Sequence, residues 1–389
     1  MARPRAALAA TGVVAALLAG CGGEPADPAL TASPQPTEQA APEPDTEPSG
    51  SPEATPTETT SDTTSGTSAR PRVVGTVAED LAAPWGIDFL PDGTAVVTER
   101  DTARVLRIAE GGAVTEVGRL AEAAPGGEAG LLGVAVSPSY AEDRLVYLYL
   151  TTASDNRIVR APLRGDRLGP TEVVLDGIPN GFIHDGGRLE FGPDGFLYAS
   201  TGEIGEEQLA QDLDSLGGKI LRITPDGDPA PGNPFPGSPV WSWGHRNVQG
   251  LAFDDRERLW ASEFGWNEFD ELNRIRAGEN YGWPEVEGTG NDPEYVNPQV
   301  VWRTDEASPS GLAYRDGHLW MAALRGARLW RVDVSGGEAA APVDFLVGDY
   351  GRLRTVVVAP DGMLWVTTSN RDGRGDPAPR DDRILLVRP

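Results

Sequence analysis

The sequence predicts an all-β fold for residues 71–389, a six-bladed β-propeller of four-stranded antiparallel blades. A phrase made of a short alternating strand, a turn of the Pro-Asp-Gly type and a second strand recurs six times in this region. A further strand-like phrase follows each copy, and no long amphipathic helix separates the copies. Six near-equal units of this kind are typical of a propeller, whereas an α/β fold would need helices between its strands.

The first 21 residues predict a lipoprotein signal peptide. Arg3 and Arg5 precede an apolar run over residues 7–18, which is too short to span a bilayer, and small residues then lead into Cys21. Cys21 is the only cysteine, so no internal disulfide is possible. Its setting resembles a bacterial lipobox, and we expect the protein to be extracytoplasmic and lipid-anchored to the cell membrane. An ordinary signal peptide with an incidental cysteine remains the alternative.

Residues 22–70 predict a disordered, acidic tether. The segment consists mainly of Pro, Thr, Ser, Glu, Ala and Gly, so it cannot bury enough apolar surface to offset its ordering entropy. The whole chain has a formal net charge of −26 and a pI of about 4.4. This acidity argues against binding of nucleic acid and against electrostatic attraction to anionic lipid, so the expected membrane contact is only through the lipid anchor.

The first recurring phrase predicts an inward strand and hairpin in every blade. It has a small or apolar start, an inward strand and a turn of the Pro-Asp-Gly type, and Asp-Gly between apolar runs is a strong hairpin signal. The six copies begin at Trp85, Leu132, Gly187, Gln249, Ser310 and Arg354. The second phrase predicts a further strand at residues 104–108, 157–160, 219–223, 271–275, 328–332 and 383–387.

Two further predictions concern the strand that closes the ring and the helix content. A strand at residues 73–77 is expected to pair into the last blade, because closing the ring removes exposed sheet edges. The best helix candidate is the short segment 206–216.

Ligands of propellers bind at the mouth of the central channel, so polar clusters between the repeats are the candidate site. His184 lies in a Gly-rich loop and could act as a general base, or it could simply bond backbone carbonyls. Arg246 and Asn247 offer planar donors for carboxylate or quinone oxygens, or they form a structural loop with Trp243. His245 is expected to be a packed neighbour, and His318 a surface residue.

A third cluster is acidic and a fourth is basic. Residues 263–273 and 280–284 combine carboxylates, side-chain amides and free carbonyls, which are the ligands of Ca²⁺, although acidic loops are also ordinary on an acidic protein. Arg325, Arg352 and Arg354 form the basic cluster. Since residues 352 and 354 are two apart on a strand, their side chains point the same way and could clamp an anion, unless they are solvated.

Together these clusters resemble the soluble PQQ-dependent glucose dehydrogenases and the bacterial aldose sugar dehydrogenases over residues 80–389. The resemblance is carried by Gly130-Leu131-Leu132-Gly133, His184-Asp185-Gly186-Gly187-Arg188-Leu189, Leu216-Gly217-Gly218-Lys219-Ile220-Leu221-Arg222, Gly244-His245-Arg246-Asn247, Asp270-Glu271-Leu272-Asn273 and Asn280-Tyr281-Gly282-Trp283-Pro284. It implies an enzyme that oxidises a small-molecule sugar, uses PQQ and Ca²⁺, and passes electrons to an external acceptor.

The resemblance also implies roles for individual residues. His184 would be the catalytic base. The cofactor contacts would come from Glu128, Arg246, Asn247, Arg352 and Arg354. A Ca²⁺ at the quinone would use the carbonyls of Gly265 and Trp266, and a structural Ca²⁺ would use Glu271 and Tyr281.

Five positions depart from the best-known glucose enzyme of this family. Glu128 replaces a Gln, Glu203 an Asp, Ile183 an Asp, Leu324 a cofactor-contacting Lys and Trp266 a Pro. The additional carboxylate and the lost lysine predict a more negative pocket. Two other functions stay open, a non-catalytic propeller that serves as a binding module and a lactone hydrolase.

Overall fold

The computed structural model describes residues 70–389. The predicted signal peptide with Cys21, and residues 22–69 of the predicted tether, lie outside the described residues. No helix within residues 70–389 is long and apolar enough to cross a membrane.

The described chain forms six antiparallel sheets, here numbered as blades in chain order after the first strand β1 (Arg72–Ala78), which belongs to the last blade. Blade 1 consists of β2 (Pro84–Phe89), β3 (Ala95–Glu99), β4 (Arg104–Ile108) and β5 (Val114–Arg119). Blade 2 consists of β6 (Leu131–Val136), helix α1 (Tyr140–Asp143), β7 (Leu145–Thr151), β8 (Asn156–Arg164), the short β9 (Arg167–Leu168) and β10 (Glu172–Ile178). Blade 3 consists of β11 (Leu189–Phe191), β12 (Leu197–Ser200), a 3₁₀ turn (Glu207–Ala210), β13 (Lys219–Ile223) and β14 (Val240–Trp243).

The second half repeats the pattern. Blade 4 consists of β15 (Val248–Phe253), β16 (Leu259–Glu263), β17 (Phe269–Ile275) and β18 (Val300–Arg303). Blade 5 consists of β19 (Pro309–Arg315), β20 (His318–Ala323), β21 (Arg328–Ser335) and β22 (Glu338–Phe345). Blade 6 consists of β23 (Leu353–Val358), β24 (Leu364–Thr368), β25 (Ile384–Arg388) and β1.

The ring closes through the first strand, as predicted. Strand β1 pairs antiparallel with β25, from Arg72 opposite Arg388 to Ala78 opposite Ile384. The first strands of blades 1 to 6 also pack side by side in a closed circle around the axis. The six-bladed propeller is therefore confirmed.

Only one turn of the helix expected at residues 206–216 forms. The Nζ of Lys219, the sole lysine of the chain, donates to the carbonyls of Leu209 at 2.7 Å, Ala210 at 3.1 Å and Gly217 at 2.6 Å. The backbone amide of Asp214 also bonds the Asp212 carboxylate at 2.9 Å. These contacts compete with helical hydrogen bonds, so the prediction of a longer helix was wrong.

Apolar side chains fill the spaces between neighbouring blades. Trp85 of blade 1 and Tyr149 of blade 2, which are 1% and 0% exposed, belong to one cluster with Leu189 and Leu221 of blade 3. Burial of large aromatic side chains between the sheets is a major source of stability in such folds. The wedge-like packing fixes the blades relative to one another and so fixes the loops at the channel mouth.

Near the axis, the second residue of the repeated phrase is small in most blades. It is Gly86, Gly133, Gly250 and Gly311 in four blades and Thr355 in the sixth. A Cβ at Gly250 would lie 2.4 Å from the Ser310 carbonyl oxygen, so a side chain there would clash with the neighbouring strand.

Blade 3 has Arg188 at this position. Its side chain is 7% exposed and crosses the axis. Its Nε donates to the Gln249 carbonyl at 2.8 Å, its Nη2 donates to Thr355 Oγ1 at 3.2 Å, and its guanidinium lies 4.2 Å from the Trp85 ring centre. One arginine therefore joins blades 1, 3, 4 and 6 at the centre of the ring.

Candidate active site

A cavity of about 470 Å³ occupies one mouth of the channel. Two kinds of loop build it, those that lead into the first strand of a blade and those that join the second and third strands. Both kinds lie at the same end because the strands are antiparallel. Six arginines line this arginine cavity, namely Arg100, Arg246, Arg325, Arg352, Arg354 and Arg374. Its lining carboxylates are Glu128 and Asp270, so a strongly acidic chain presents a basic pocket.

His184 lies at the wall of the arginine cavity with its backbone in the left-handed region, at φ 57°. Its amide donates to Glu128 Oε2 at 3.0 Å, and its ring Nδ1 pairs with Glu203 Oε1. The carboxylate places the ring proton on Nδ1, which leaves the lone pair on Nε2. Within residues 70–389 no side chain or carbonyl bonds Nε2, and the His184 side chain is 12% exposed. His184 is therefore arranged as an oriented base that faces the cavity.

Glu203 is held in place by its own loop. A Cβ on the preceding Gly202 would lie 1.9 Å from the His184 carbonyl oxygen, so only glycine permits this approach of the two loops. The amide of Glu203 donates to the Arg246 carbonyl at 2.9 Å. Lys219 stabilises the segment after Glu203 by donating to the carbonyls of Leu209, Ala210 and Gly217. Burial lowers the pKa of Lys219 to about 7.

Asp185, next to His184, is buried and supports the loop from behind. Its Oδ1 accepts from Asn156 Nδ2 at 2.9 Å and from the Gly181 amide at 3.0 Å, while Oδ2 has no partner within the described chain. Burial raises the pKa of Asp185 to about 6.

Arg246 and Asn247 lie side by side but differ in their freedom. Asn247 is 1% exposed, and its side chain bonds the Gly186 amide at 3.1 Å and Glu128 at 3.4 Å. Arg246 lines the arginine cavity with its guanidinium 5.4 Å from the Trp283 ring centre, and burial lowers its pKa. Asn247 therefore ties the His184 loop to blade 4, whereas Arg246 is available to a ligand.

Arg352 and Arg354 point the same way, as their spacing predicts. Both reach the carboxylate of Asp372, Arg352 with Nε at 3.1 Å and Arg354 with Nη2 at 3.4 Å. Burial lowers the pKa of Arg354 to about 10. For Asp372, burial opposes ionisation, but Arg354 and Arg352 outweigh it and lower its pKa. One carboxylate thus pairs with two arginines, so the three groups together keep a net positive charge that can attract an anionic ligand.

Glu128 is paired, which the sequence did not indicate. Arg374 donates to Glu128 Oε1 at 2.8 Å. Burial acts to raise the pKa of Glu128, but Arg374 and the His184 amide outweigh it and the pKa is lowered. Arg374 offsets Glu128, and arginines outnumber carboxylates in the lining, so the pocket is basic. That it is more negative than the pocket of the glucose enzyme stays a prediction. Leu324 also lines the arginine cavity.

The loop with Gly265 and Trp266 is anchored through its amides. Glu287 Oε1 accepts from four successive amides, those of residues 266–269, at 2.7 to 3.1 Å. The Gly265 amide donates to Asp270 Oδ1 at 3.0 Å. Burial raises the pKa of Asp270 to about 6. The two carboxylates thus hold the backbone of the loop through its amides, and the carbonyls of Gly265 and Trp266 stay the predicted ligands of a cation.

Glu271 belongs to a buried polar cluster below this loop. Asn273 Nδ2 donates to Glu271 at 2.9 Å and to Glu263 at 3.3 Å, and Asn273 Oδ1 has no partner within residues 70–389. Burial and the neighbouring Glu263 raise the pKa of Glu271 to about 8.

His245 joins this cluster to Tyr281. It bonds Glu263 at 2.8 Å and Ser242 at 2.9 Å, and its ring stacks on Tyr281 with centres 4.7 Å apart. The Tyr281 hydroxyl donates to the Arg274 carbonyl at 2.7 Å and accepts from the Arg276 amide at 2.9 Å. Its hydroxyl is thus occupied, and only its carbonyl could serve a metal.

The sequence analysis missed Arg100, Arg374 and Gln249 in the arginine cavity. Arg100 and Arg374 lie in the loops between the second and third strands of blades 1 and 6. The sequence repeat could have identified these residues, because the loops with Arg100 and Arg374 occupy the same place in their blades as the loop with Glu203 does in blade 3. His318 bonds Asp333 at 2.9 Å on the outside of blade 5, away from the site.

Comparison with known proteins agrees with this geometry. Residues 81–386 match the model of the glucose/sorbosone dehydrogenase family. The chain is 27% identical to the aldose sugar dehydrogenase YliI of Escherichia coli over 336 residues, which cover 77% of this chain and 91% of that protein. The PQQ-bound form of an aldose sugar dehydrogenase from Streptomyces coelicolor superposes with a TM-score of 0.80 at 56% identity, covering 82% of this chain and 97% of that one. A putative oxidoreductase (glucose dehydrogenase) from Thermus thermophilus gives a TM-score of 0.78 at 46% identity, over 82% of this chain and 100% of that one.

Proposed function

The chain belongs to the glucose/sorbosone dehydrogenase family, and from this we propose that it oxidises an aldose sugar or a similar alcohol at the anomeric carbon with PQQ and Ca²⁺. The observation that carries the proposal is the position of the His184–Glu203 pair on the wall of the arginine cavity. A base with a free Nε2 lies where a basic pocket can hold an anionic redox cofactor.

The residues present fit PQQ. The cofactor is an anion with three carboxylates, and guanidinium groups bind carboxylates through paired, charge-assisted hydrogen bonds. Arg352 and Arg354 would hold its carboxylates, while Arg246 and Asn247 would lie near its oxygens. Support comes from Arg246, whose buried Nε has no partner within the described residues. When bound, PQQ supplies the acceptor for the hydride from the sugar carbon.

His184 performs the proton step. Its Nε2 takes the proton of the anomeric hydroxyl as the C1–H bond gives up its hydride, so that a C=O bond forms and the sugar leaves as a lactone. Glu203 holds Nδ1–H and stabilises the imidazolium that results. Two electrons leave with the hydride, and an external acceptor removes them in a later step.

The proposed Ca²⁺ sites also have suitable donors. Carbonyl oxygens of Gly265 and Trp266 in the arginine cavity are hard ligands of the kind that Ca²⁺ takes. Glu271, with the unpartnered Asn273 Oδ1 beside it and the Tyr281 carbonyl, would form the structural site. Since Glu271 and Glu263 are buried close together, a divalent cation would relieve their mutual repulsion.

We further propose that the protein is exported and lipid-anchored through Cys21. The basis is the apolar run and the small residues that lead into the only cysteine. Membrane fractionation of a Cys21→Ser variant tests this, since the proposal requires the variant to leave the membrane fraction.

The binding-module and lactone-hydrolase hypotheses are less well supported. A module that only binds partners has no use for an oriented base beside unsaturated arginines. Lactone hydrolysis at a central metal would require carboxylates that converge on the axis, whereas arginines dominate the cavity lining.

One experiment tests the proposed function as a whole. The purified protein is titrated with PQQ in the presence of Ca²⁺, and dye-linked oxidation is then measured over a panel of sugars. We expect saturable PQQ binding and sugar-dependent dye reduction. A protein that binds no PQQ at high concentration would contradict the enzyme and leave the binding module.

A further inference from the structure

A separate cavity of about 300 Å³ lies between blades 3 and 4, and we call it the interblade groove. It is lined by the turn between the first two strands of blade 4 and by the adjoining strand ends of both blades. The loops of the arginine cavity lie at the opposite strand ends, so the interblade groove opens on the other face of the propeller. It shares no lining residue with the arginine cavity. The residues that give it its chemistry are Tyr198, Trp241, Phe253, Arg258, Arg274 and Arg276.

Three aromatic side chains form one wall of the interblade groove. The ring of Tyr198 contacts those of Trp241 and Phe253 edge to face, with ring centres 5.8 and 5.1 Å apart. Tyr198 is 4% exposed, and its hydroxyl donates to Asp194 at 3.0 Å. Trp241 and Phe253 are half-buried. The buried tyrosine therefore fixes two outer rings whose apolar surface remains available to a flat ligand.

The cations of the interblade groove are only partly neutralised. Arg258 pairs with Asp254 through Nε at 2.7 Å. Arg274 donates through Nη1 to the Gly337 carbonyl at 2.5 Å. A Cβ on Gly337 would clash with Nη1 of both Arg258 and Arg274, so the two guanidinium groups are neighbours. One carboxylate thus stands against two adjacent cations.

Arg276 adds a third cation, two residues after Arg274 at the end of β17. Within residues 70–389, neither Arg274 nor Arg276 forms an ion pair. The carboxylate in the lining is the exposed Glu257. Neighbouring guanidinium groups repel one another, and a carboxylate that bonds to both relieves the repulsion. The groove therefore favours an anion, although the chain as a whole has a net charge of −26.

We propose that the interblade groove binds a small organic anion in which a carboxylate is joined to a flat apolar ring. Arg274 and Arg276 take the carboxylate, while Trp241 and Phe253 contact the ring. The volume of the groove suits a small molecule. This second site goes beyond sugar oxidation, because it lies on the other face of the ring and uses none of the residues of the proposed active site. A bound anion joins blades 3 and 4 and stabilises the native state by mass action.

The test uses benzoate as the probe and measures its binding by saturation-transfer NMR, with no PQQ added. We expect saturable binding with a Kd of about 1 mM. Benzyl alcohol, which lacks the charge, and acetate, which lacks the ring, should each bind more weakly than benzoate. Arg276→Gln changes an exposed side chain and so leaves the fold intact. This variant and Arg274→Gln should each weaken benzoate binding by roughly three- to tenfold, the effect of one lost charged contact at a partly exposed site.

Arg256→Gln is the matched control, because Arg256 is exposed in the same turn of blade 4 but does not line the interblade groove. Arg352→Ala reports any benzoate that enters the arginine cavity, and it should leave binding in the groove unchanged. No saturation up to about 10 mM benzoate would overturn the inference. So would an equal loss in Arg256→Gln, a loss only in Arg352→Ala, or acetate or benzyl alcohol binding as tightly as benzoate. Failure of the proposed function shows instead as absent PQQ binding, which leaves this test unaffected.

Discussion

Arg374 and Glu128 form an ion pair across the channel mouth, with Arg374 Nη1 2.8 Å from Glu128 Oε1 although 246 residues separate them. The pair links blade 6 to the loop before blade 2. The ion pair also engages Arg374, which would otherwise be available to a ligand. Removing the carboxylate charge therefore frees a cation without disturbing the other arginines.

We predict that Glu128→Gln raises PQQ affinity. The substitution removes one negative charge from the arginine cavity and keeps an oxygen that can accept from the His184 amide, which is 3.0 Å from Glu128 Oε2. The expected gain is about three- to tenfold at low ionic strength and less at high salt. Fluorescence titration with PQQ measures it, and weaker binding in the variant would show that Glu128 contacts the cofactor favourably.

His184→Ala is expected to abolish sugar oxidation and leave PQQ binding intact. In the proposed function the base meets the sugar hydroxyl, whereas the arginines hold the cofactor. Removing a general base costs at least about a hundredfold in kcat. Glu203→Gln should lower kcat less and shift the pH profile, because the ring keeps a hydrogen bond but loses its charged partner. Full turnover in His184→Ala would assign the proton to another group.

Arg352→Ala should have the opposite effect and weaken PQQ binding first. Loss of a charge-assisted contact to a carboxylate costs about 2 kcal/mol, or roughly thirtyfold in affinity. Kinetics are compared at saturating PQQ, where kcat should be largely restored. Arg167→Ala, at an exposed position in β9, removes the same charge far from the cavity and is the control. Equal losses in both variants would indicate a general charge effect.

Calcium removal should lower the melting temperature. A ligand that binds only the native state stabilises it by mass action, and occupancy well above Kd corresponds to several degrees. Glu271→Gln should show little further change on addition of chelator, since its structural site is already disabled. A chelator response equal to that of the wild-type protein would place the stabilising Ca²⁺ elsewhere.

Asp185→Asn should remove one component of the pH dependence of stability. Burial raises the pKa of Asp185 from 3.8 to about 6, so the native state binds this proton more tightly than the unfolded state. The stabilisation is complete below about pH 4 and is lost as the pH rises through 6, by roughly 2–3 kcal/mol. Denaturant unfolding between pH 4 and 8 should therefore show a smaller decline in the variant. Parallel curves for the two proteins would assign that decline to other carboxyl groups.

The sequence predicted the fold in detail because its signals are local. The strand at Arg104–Ile108 has the predicted bounds, as does the one at Lys219–Ile223. Alternation of apolar residues and Asp-Gly turns depends on neighbours in the chain, so both can be recognised without the fold. The closing strand also follows, since a propeller has to remove its own sheet edges.

The site was harder to predict because its residues come from different blades and meet only in the folded chain. The ion pair of Arg374 with Glu128 joins residues that are far apart in the sequence, and the sequence around each residue does not indicate the other. The sharing of Asp372 by Arg352 and Arg354 has the same origin, although the common direction of the two arginines followed from strand geometry. A carboxylate alone at position 128 suggested repulsion of an anion, and only the folded chain supplies the compensating charge.

Arg188 also affects how ligands can reach the arginine cavity. The arginine blocks the axis between the arginine cavity and a separate space of about 220 Å³ lined by Asp88 and Glu190 at the other end of the inner strands. Within residues 70–389, the contacts of Arg188 therefore separate the arginine cavity from the opposite end of the channel. In the proposed function, sugar, lactone and electron acceptor would all use the mouth of the arginine cavity, so the acceptor would approach only after the product has left. Sugar and acceptor would then compete for the same opening, and an excess of either one would inhibit the reaction.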